Sequence, residues 1–577
     1  MKLILRFLKP HRKLCVFTTL FMALDMVGMM LIPTYAAEML NKGSSAVTGF
    51  SELLNTGIKM LVAAAIAGAG AIIGGYVCAK LAARVGADIR KALYKKSLAL
   101  SVYDFQTFGT ASMTTRTVSD VATVQFAVVS IFQMMLPVPI IFVAAIVLTF
   151  MKDRLIGFVL LAVLAVIVLI ANFIMRSASP LFRKLQGLLD KMSTILLENI
   201  TGVRVVRAFN KQEHETERLN ASFRDYKTTS VKANRMFAGL DSLTNFSINL
   251  FVVLVYWISG SRIVSGVFGD GDIVAIIEYA IMALFSVMMA QFVILSFPRA
   301  MECLNRINEV LSYTPGIEDK KESDISLTEQ ENVLAFENVS FRYADSDEYT
   351  LKGLGFICKK GQTTAVIGGT GSGKSTVASL MLRFNDVTDG RITLGGADIR
   401  DMPQRQLHEN ISYVQQRAWL FSGTIAENLR YGNNSATDEE LMNALDIAQA
   451  GDFVRALPKG LNSFVAQGGT NFSGGQKQRL SIARAIVKDP RLYIFDDSFS
   501  ALDFKTDAAL RKALLKEKSD KAIVIIAQRV SSIQHADQII VLNEGAPVGI
   551  GKHEELLRSC DIYREIYESQ TKEVDER

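Results

Sequence analysis

The chain has 577 residues, half of them hydrophobic and 21% charged, with a mean hydropathy of +0.25. That is too long for one ordinary core and too apolar for a wholly water-soluble protein, so membrane spans over part of the chain are expected. A formal charge of +6 does not call for a nucleic-acid partner, and five scattered cysteines without a C-x-x-C pair argue against a disulfide framework or a zinc site.

The chain opens on Lys2, Arg6, Lys9, Arg12 and Lys13 before an apolar run. The run outlasts a signal peptide and further apolar runs follow, so a retained first membrane helix is expected. About six stretches can cross a hydrocarbon core of about 30 Å. They centre on Leu20 to Ala37, Leu61 to Cys78, Val129 to Phe150, Ile156 to Ile174, Ile248 to Val264 and Ile273 to Phe297. Two long Lys/Arg-rich segments, Arg84 to Ser119 and Arg183 to Arg235, separate spans two from three and four from five. The other loops are short, so the excess of positive charge places both long segments and both termini in the cytoplasm. With few Gly or Pro breaks, the long segments should continue the helices as a stalk, with tips near Tyr103 to Phe108 and Gly202 to Phe209.

The expected division is a transmembrane domain over 1–315, a polar linker over 316–332 and an α/β domain over 333–577. Strand-like runs such as VLAFENVSFRY, TTAVIGG and RLYIFDD alternate there with helical patterns, which indicates parallel strands.

The strongest chemical signal is GGTGSGKST, residues Gly368, Gly369, Thr370, Gly371, Ser372, Gly373, Lys374, Ser375 and Thr376. It fits G-x-x-x-x-G-K-[ST] between an apolar strand and a helix, the setting the motif requires. Its glycines let backbone N–H groups wrap phosphates, Lys374 neutralises the β and γ oxygens, and Ser375 offers a hydroxyl to Mg²⁺. Leu492 to Asp496 is an apolar strand ending in a carboxylate suited to hold the same Mg²⁺. The loop alone indicates ATP binding, not transport.

Phe472-Ser473-Gly474-Gly475-Gln476 resembles the signature of ATP-binding-cassette (ABC) proteins. Other landmarks follow in the family's order: Tyr343 for the adenine-stacking aromatic, Gln416 for the glutamine that senses Mg²⁺ and the attacking water, and Asp503 in the SALD loop. ENITGVRVVRAF and the SVYDFQTFGT region resemble the coupling helices of exporters with swapped helices. The resemblance covers nearly the whole chain and is to a half-transporter of the multidrug or lipid exporter type. It implies an all-α bundle of six membrane helices fused to an α/β P-loop domain. It also implies a second half-transporter as partner, with each ATP held between one chain's Walker motifs and the other's Ser473, Gly474, Gly475 and Gln476.

Two catalytic positions depart from the family pattern. Asp497 stands where a glutamate usually polarises the attacking water, and Gln528 where a histidine contacts the γ-phosphate. The aspartate carboxylate is withdrawn by roughly 1 to 1.5 Å, and a misplacement of about 1 Å can cost on the order of 100-fold. Glutamine can hydrogen-bond a phosphate oxygen but carries no charge. The expectation is a degenerate site that binds ATP and hydrolyses it slowly, resembling the weaker subunit of bacterial heterodimeric exporters. Tolerated drift in a homodimer is the alternative.

In the membrane half, Asp25 and Glu278 fall within or near apolar spans, which points to a polar or cationic cargo, a gating pair, or a packing hydrogen bond. Met22, Met26, Met29, Met30, Met282, Phe285, Met288 and Met289 read first as ordinary lipid-facing or packing residues, with an adaptable lining for varied apolar cargo as the alternative. The expected function is ATP-driven efflux of amphipathic drugs, lipids or peptides by alternating access in a bacterial cytoplasmic membrane. An ATP-gated regulatory or channel-forming subunit is the rival from another class.

Overall fold

The computed structural model describes residues 2–44, 49–264, 269–317, 319, 325, 327–328 and 331–575. Much of the expected linker, and residues 45–48 and 265–268 of two short loops, lie outside the described residues. Two compact units emerge: Met1–Ala99 with Phe108–Tyr313, and Leu100–Thr107 with Thr314–Arg577. Eight residues from between two membrane helices thus belong to the second unit.

Among the described residues, six helices of the first unit are long and apolar enough to cross a membrane. They are Leu3–Gly43, Phe50–Ala99, Thr110–Lys152, Arg154–Ile174, Gln212–Gly260 and Asp270–Ser312. The helices Phe50–Ala99, Arg154–Thr201 and Gln212–Val264 run to 50, 48 and 53 residues. At 1.5 Å per residue each is about 75 Å long, more than twice the apolar thickness of a bilayer. The expected stalk is therefore present as unbroken helix, and its tips are the short helices Val102–Phe108 and Val203–Ala208.

Small residues pack the first two spans. A side chain at Gly70 would place its Cβ 2.7 Å from the Asp25 nitrogen and 2.9 Å from the Phe21 oxygen, and one at Gly28 would meet the Ala67 nitrogen at 2.7 Å. Backbones this close gain dispersion contacts that lipid tails cannot supply. Apolar residues at helical spacing (Ile156, Leu160, Leu164) pack with Phe251, Val255, Ile276 and Tyr279 in the bundle core. The Tyr279 hydroxyl is satisfied there by Thr34 at 2.6 Å.

The third span is not uniform. Arg116–Asp120 and Ile131–Met135 are π-helical turns within it. The first carries two ion pairs to the sixth span, Asp120 with Arg306 (2.7 Å) and Arg116 with Glu309 (2.9 Å).

The second unit holds a six-stranded sheet in the order Ala546–Gly551, Gln538–Asn543, Thr363–Gly368, Ala522–Ile526, Leu492–Asp496, Ile411–Val414. All its pairings are parallel except that of the first two strands. Thr363–Gly368, Leu492–Asp496 and Ala522–Ile526 are buried along their whole length, as strands covered on both faces must be. Their carboxyl ends lie side by side, where ligands bind in open α/β sheets. A four-stranded antiparallel sheet, containing Asn332–Phe341, completes the unit.

Candidate functional site

The strand Thr363–Gly368 leads through the glycine-rich loop into the helix Lys374–Met381. Gly371 (φ +83°) and Gly373 (φ +94°) take the left-handed backbone that turns the loop back on itself, a conformation costly for other residues. Gly368 is needed for space, since a Cβ there would lie 2.2 Å from the Leu542 oxygen. Lys374 Nζ donates to the Gly368 and Gly369 oxygens at 2.8 and 2.6 Å, which folds the ammonium into the loop. Burial pulls that ammonium below the ordinary lysine range, against the pull of the Asp497 and Asp496 carboxylates. Ser372 and Thr376 are buried, whereas Gly369, Thr370 and Ser375 face outward.

Asp496 closes the neighbouring strand and is only 6% exposed. Burial pushes its carboxyl above the ordinary aspartate range, and the Tyr413 hydroxyl, donating to Oδ2 at 3.1 Å, opposes the shift. A buried carboxylate with one oxygen committed, beside an exposed serine hydroxyl, is a hard-oxygen set that suits Mg²⁺. Among the described residues no cluster of three or more His, Cys, Asp or Glu could hold a metal alone. An ion here would depend on phosphate oxygens for most of its shell.

Tyr413 was not nominated by the sequence. Its only signal was an aromatic three positions before Gln416. Tyr413→Phe should remove the donor that opposes the upward shift of the Asp496 carboxyl. Asp496 must be ionised to hold a cation, and the lost donor raises its pKa further. The acid limb of the ATPase pH profile should therefore move to higher pH.

Asp497 adopts φ +47°, a left-handed backbone uncommon outside glycine. Its N–H donates to the Ile526 oxygen at 2.7 Å, and its Oδ2 accepts from Gln416 Nε2 at 3.0 Å. The structure thus joins two of the nominated catalytic residues directly. Gln528 is exposed on the end of the adjacent strand Ala522–Ile526, and its backbone oxygen accepts from Gln570 at 2.8 Å.

Ser473 caps the 15-residue helix Gly474–Lys488. Its Oγ accepts from the Gln476 N–H at 3.3 Å, and Gln476 Oε1 accepts from the Ser473 N–H at 2.9 Å, a reciprocal capping box. A Cβ at Gly474 would meet no atom within 4 Å, so nothing in this chain's own packing demands glycine there. Asp503 caps the helix Phe504–Glu517, accepting from the Thr506 N–H at 2.9 Å. Tyr343 is half-buried, its ring perpendicular to Phe341 (centroids 4.8 Å apart) and its hydroxyl 3.3 Å from Thr376 Oγ1.

In the first unit a cavity of about 360 Å³ opens among the first, third and sixth spans. Met26, Met30, Met134, Met282 and Met289 line it, with Gln133 from the second π turn. Met22 and Met288 fall outside this lining, as do Asp25 and Glu278.

With this architecture in view, family models match along the chain: ABC transporter transmembrane region over residues 15–288 and ABC transporter over residues 351–500. An uncharacterized ABC transporter ATP-binding protein of Mycobacterium tuberculosis is 33% identical over 98% of this chain and 97% of its own length. The ATP-dependent lipid A-core flippase of Desulfotalea psychrophila is 31% identical over 86% of this chain and 87% of its own. The fold matches that of a bacterial Atm1-family ABC exporter with ATP bound (TM-score 0.81, 24% identity, 97% of this chain and 98% of that one). The chain belongs to the ABC transporter family, as a half-transporter of the exporter fold. It is a multi-pass membrane protein whose family binds nucleotide, couples ATP hydrolysis to transport and works as a dimer.

Proposed function

We propose that this chain is the catalytically weaker half of a heterodimeric exporter that moves amphipathic compounds out across the cytoplasmic membrane by alternating access. Both termini and the nucleotide unit lie in the cytoplasm on this reading. Tyr343 stacks on adenine, and the loop Gly368 to Thr376 wraps the phosphates. Ser375, Asp496 and Gln416 would hold Mg²⁺, which would supply charge neutralisation to the phosphates. Ser473, Gly474 and Gly475 present a helix N-terminus to the nucleotide of the opposite chain. The open space beside Gly474 supports that role, because a glycine not required by its own fold suits close approach by something outside it.

The observation that carries the asymmetry is Asp497. Its short carboxylate sits on a left-handed backbone and is engaged by Gln416 at 3.0 Å, with an uncharged Gln528 on the neighbouring strand end. Both the general base and the charge at the γ-phosphate are thereby weakened. The chain would hold ATP while its partner, carrying Glu and His at the equivalent positions, performs most turnovers. Co-purification from native membrane should recover such a partner; recovery of a homodimer with full turnover would overturn this reading.

The methionine-lined cavity supports the cargo assignment, since flexible thioethers adapt to varied apolar shapes. ATP-dependent uptake into inverted vesicles tests export, and passive conductance opened by ATP would favour a channel-forming subunit instead. Met134→Trp should cut that uptake about tenfold by filling the cavity.

A further inference from the structure

The eight residues Leu100–Thr107 join the second and third spans, yet they pack as part of the nucleotide unit. Two adjacent side chains hold them there. Asp104, 3% exposed, accepts on Oδ2 from the Gly316 N–H (3.0 Å) and the Ser101 N–H (3.2 Å), where the chain enters that unit. Tyr103 lays its ring over Tyr343, with centroids 6.1 Å apart and planes 28° from parallel.

A base inserted between two rings needs about 6.8 Å, twice the roughly 3.4 Å spacing of stacked bases. The Tyr103–Tyr343 separation falls short of that, so a base taking the shared face must move Tyr103. Tyr343 has little freedom to yield, being held by Phe341 and Thr376.

We propose that Tyr103 is a displaceable cover on the adenine-stacking ring, so that base binding loosens the grip of Leu100–Thr107 on the nucleotide unit of its own chain. This rests on the reading of Tyr343 as the adenine platform. Asp104 takes no part in the stack and keeps its bond to Gly316, so the segment pivots about Asp104 rather than leaving. The two membrane helices joined by this segment then receive a signal of nucleotide occupancy directly from the base. Tyr103 acts here as a positioning residue; the phosphate chemistry does not involve it.

The test compares binding of ATP, ADP and inorganic tripolyphosphate to the full-length chain in nanodiscs. An aromatic pair is worth a factor of about 2 to 10, so Tyr103→Ala should tighten ATP and ADP by about that factor. Tripolyphosphate has no base and should bind Tyr103→Ala as it binds wild type, which also verifies the fold of the variant. Tyr103→Phe keeps the ring and should keep wild-type affinities. Unchanged or weaker ATP binding in Tyr103→Ala, beside intact binding by wild type, overturns the cover alone. A wild-type chain that binds tripolyphosphate and ATP equally would overturn the adenine platform, and the cover with it.

Discussion

Ser473→Arg should lower ATP turnover of the proposed pair by at least about 100-fold, the scale of losing a donor to the developing transition-state charge. Ser473 is exposed and contributes to its own chain one cap, worth about 1 kcal/mol, so the domain should still fold. The arginine would put bulk and positive charge at a helix N-terminus that is already positive, on the surface meant for the opposite nucleotide. Asp497→Glu makes the contrasting variant. It restores the longer base in this chain's own site, but Gln528 still carries no charge, so turnover should stay within about twofold. Single-turnover assays on the purified pair separate the two. A large gain from Asp497→Glu with an active Ser473→Arg would reverse the assignment of weak and strong sites.

Gly70→Leu should abolish recovery of folded protein from the membrane. The three atoms nearest the new Cβ, at 2.7 to 3.0 Å, are all backbone atoms of Phe21 and Asp25, so no rotamer change relieves the clash. The first two spans must part, at more than the roughly 1 to 3 kcal/mol typical of overpacking. Gly68→Leu, two residues earlier on the same helix, meets nothing within 4 Å and should behave as wild type. Monodisperse protein from Gly70→Leu on detergent size-exclusion would show that the two helices do not depend on this approach.

The spans and the nucleotide loop were legible because their signals are local. Hydropathy over about 20 residues marks a membrane helix, and GGTGSGKST places its glycines, lysine and serine by fixed offsets within one turn. What the sequence hid depends on distant pairs. Tyr413 reaches Asp496 across 83 positions, and Asp104 reaches Gly316 across 212. Hydropathy made Leu100–Thr107 a tip of the membrane stalk, and the likeness of SVYDFQTFGT to a coupling helix did not name Gly316 or Tyr343 as the groups it rests on. Gln133 and Met134 were missed for another reason. They lie in a π turn of the third span, which hydropathy marks only as one apolar stretch with no face assigned.

Those two π turns give the third span a property that a plain α-helix of its length would lack. Each inserted residue advances the remainder of the helix by about 100° around its axis, so the span has three rotational phases along its length. The stretch bearing Arg116 and Asp120 is oriented to clamp the sixth span through ion pairs, while the stretch bearing Gln133 and Met134 is oriented to line the apolar cavity. One rod thus presents a charged face at one level and a greasy face at another, each indexed independently of the other.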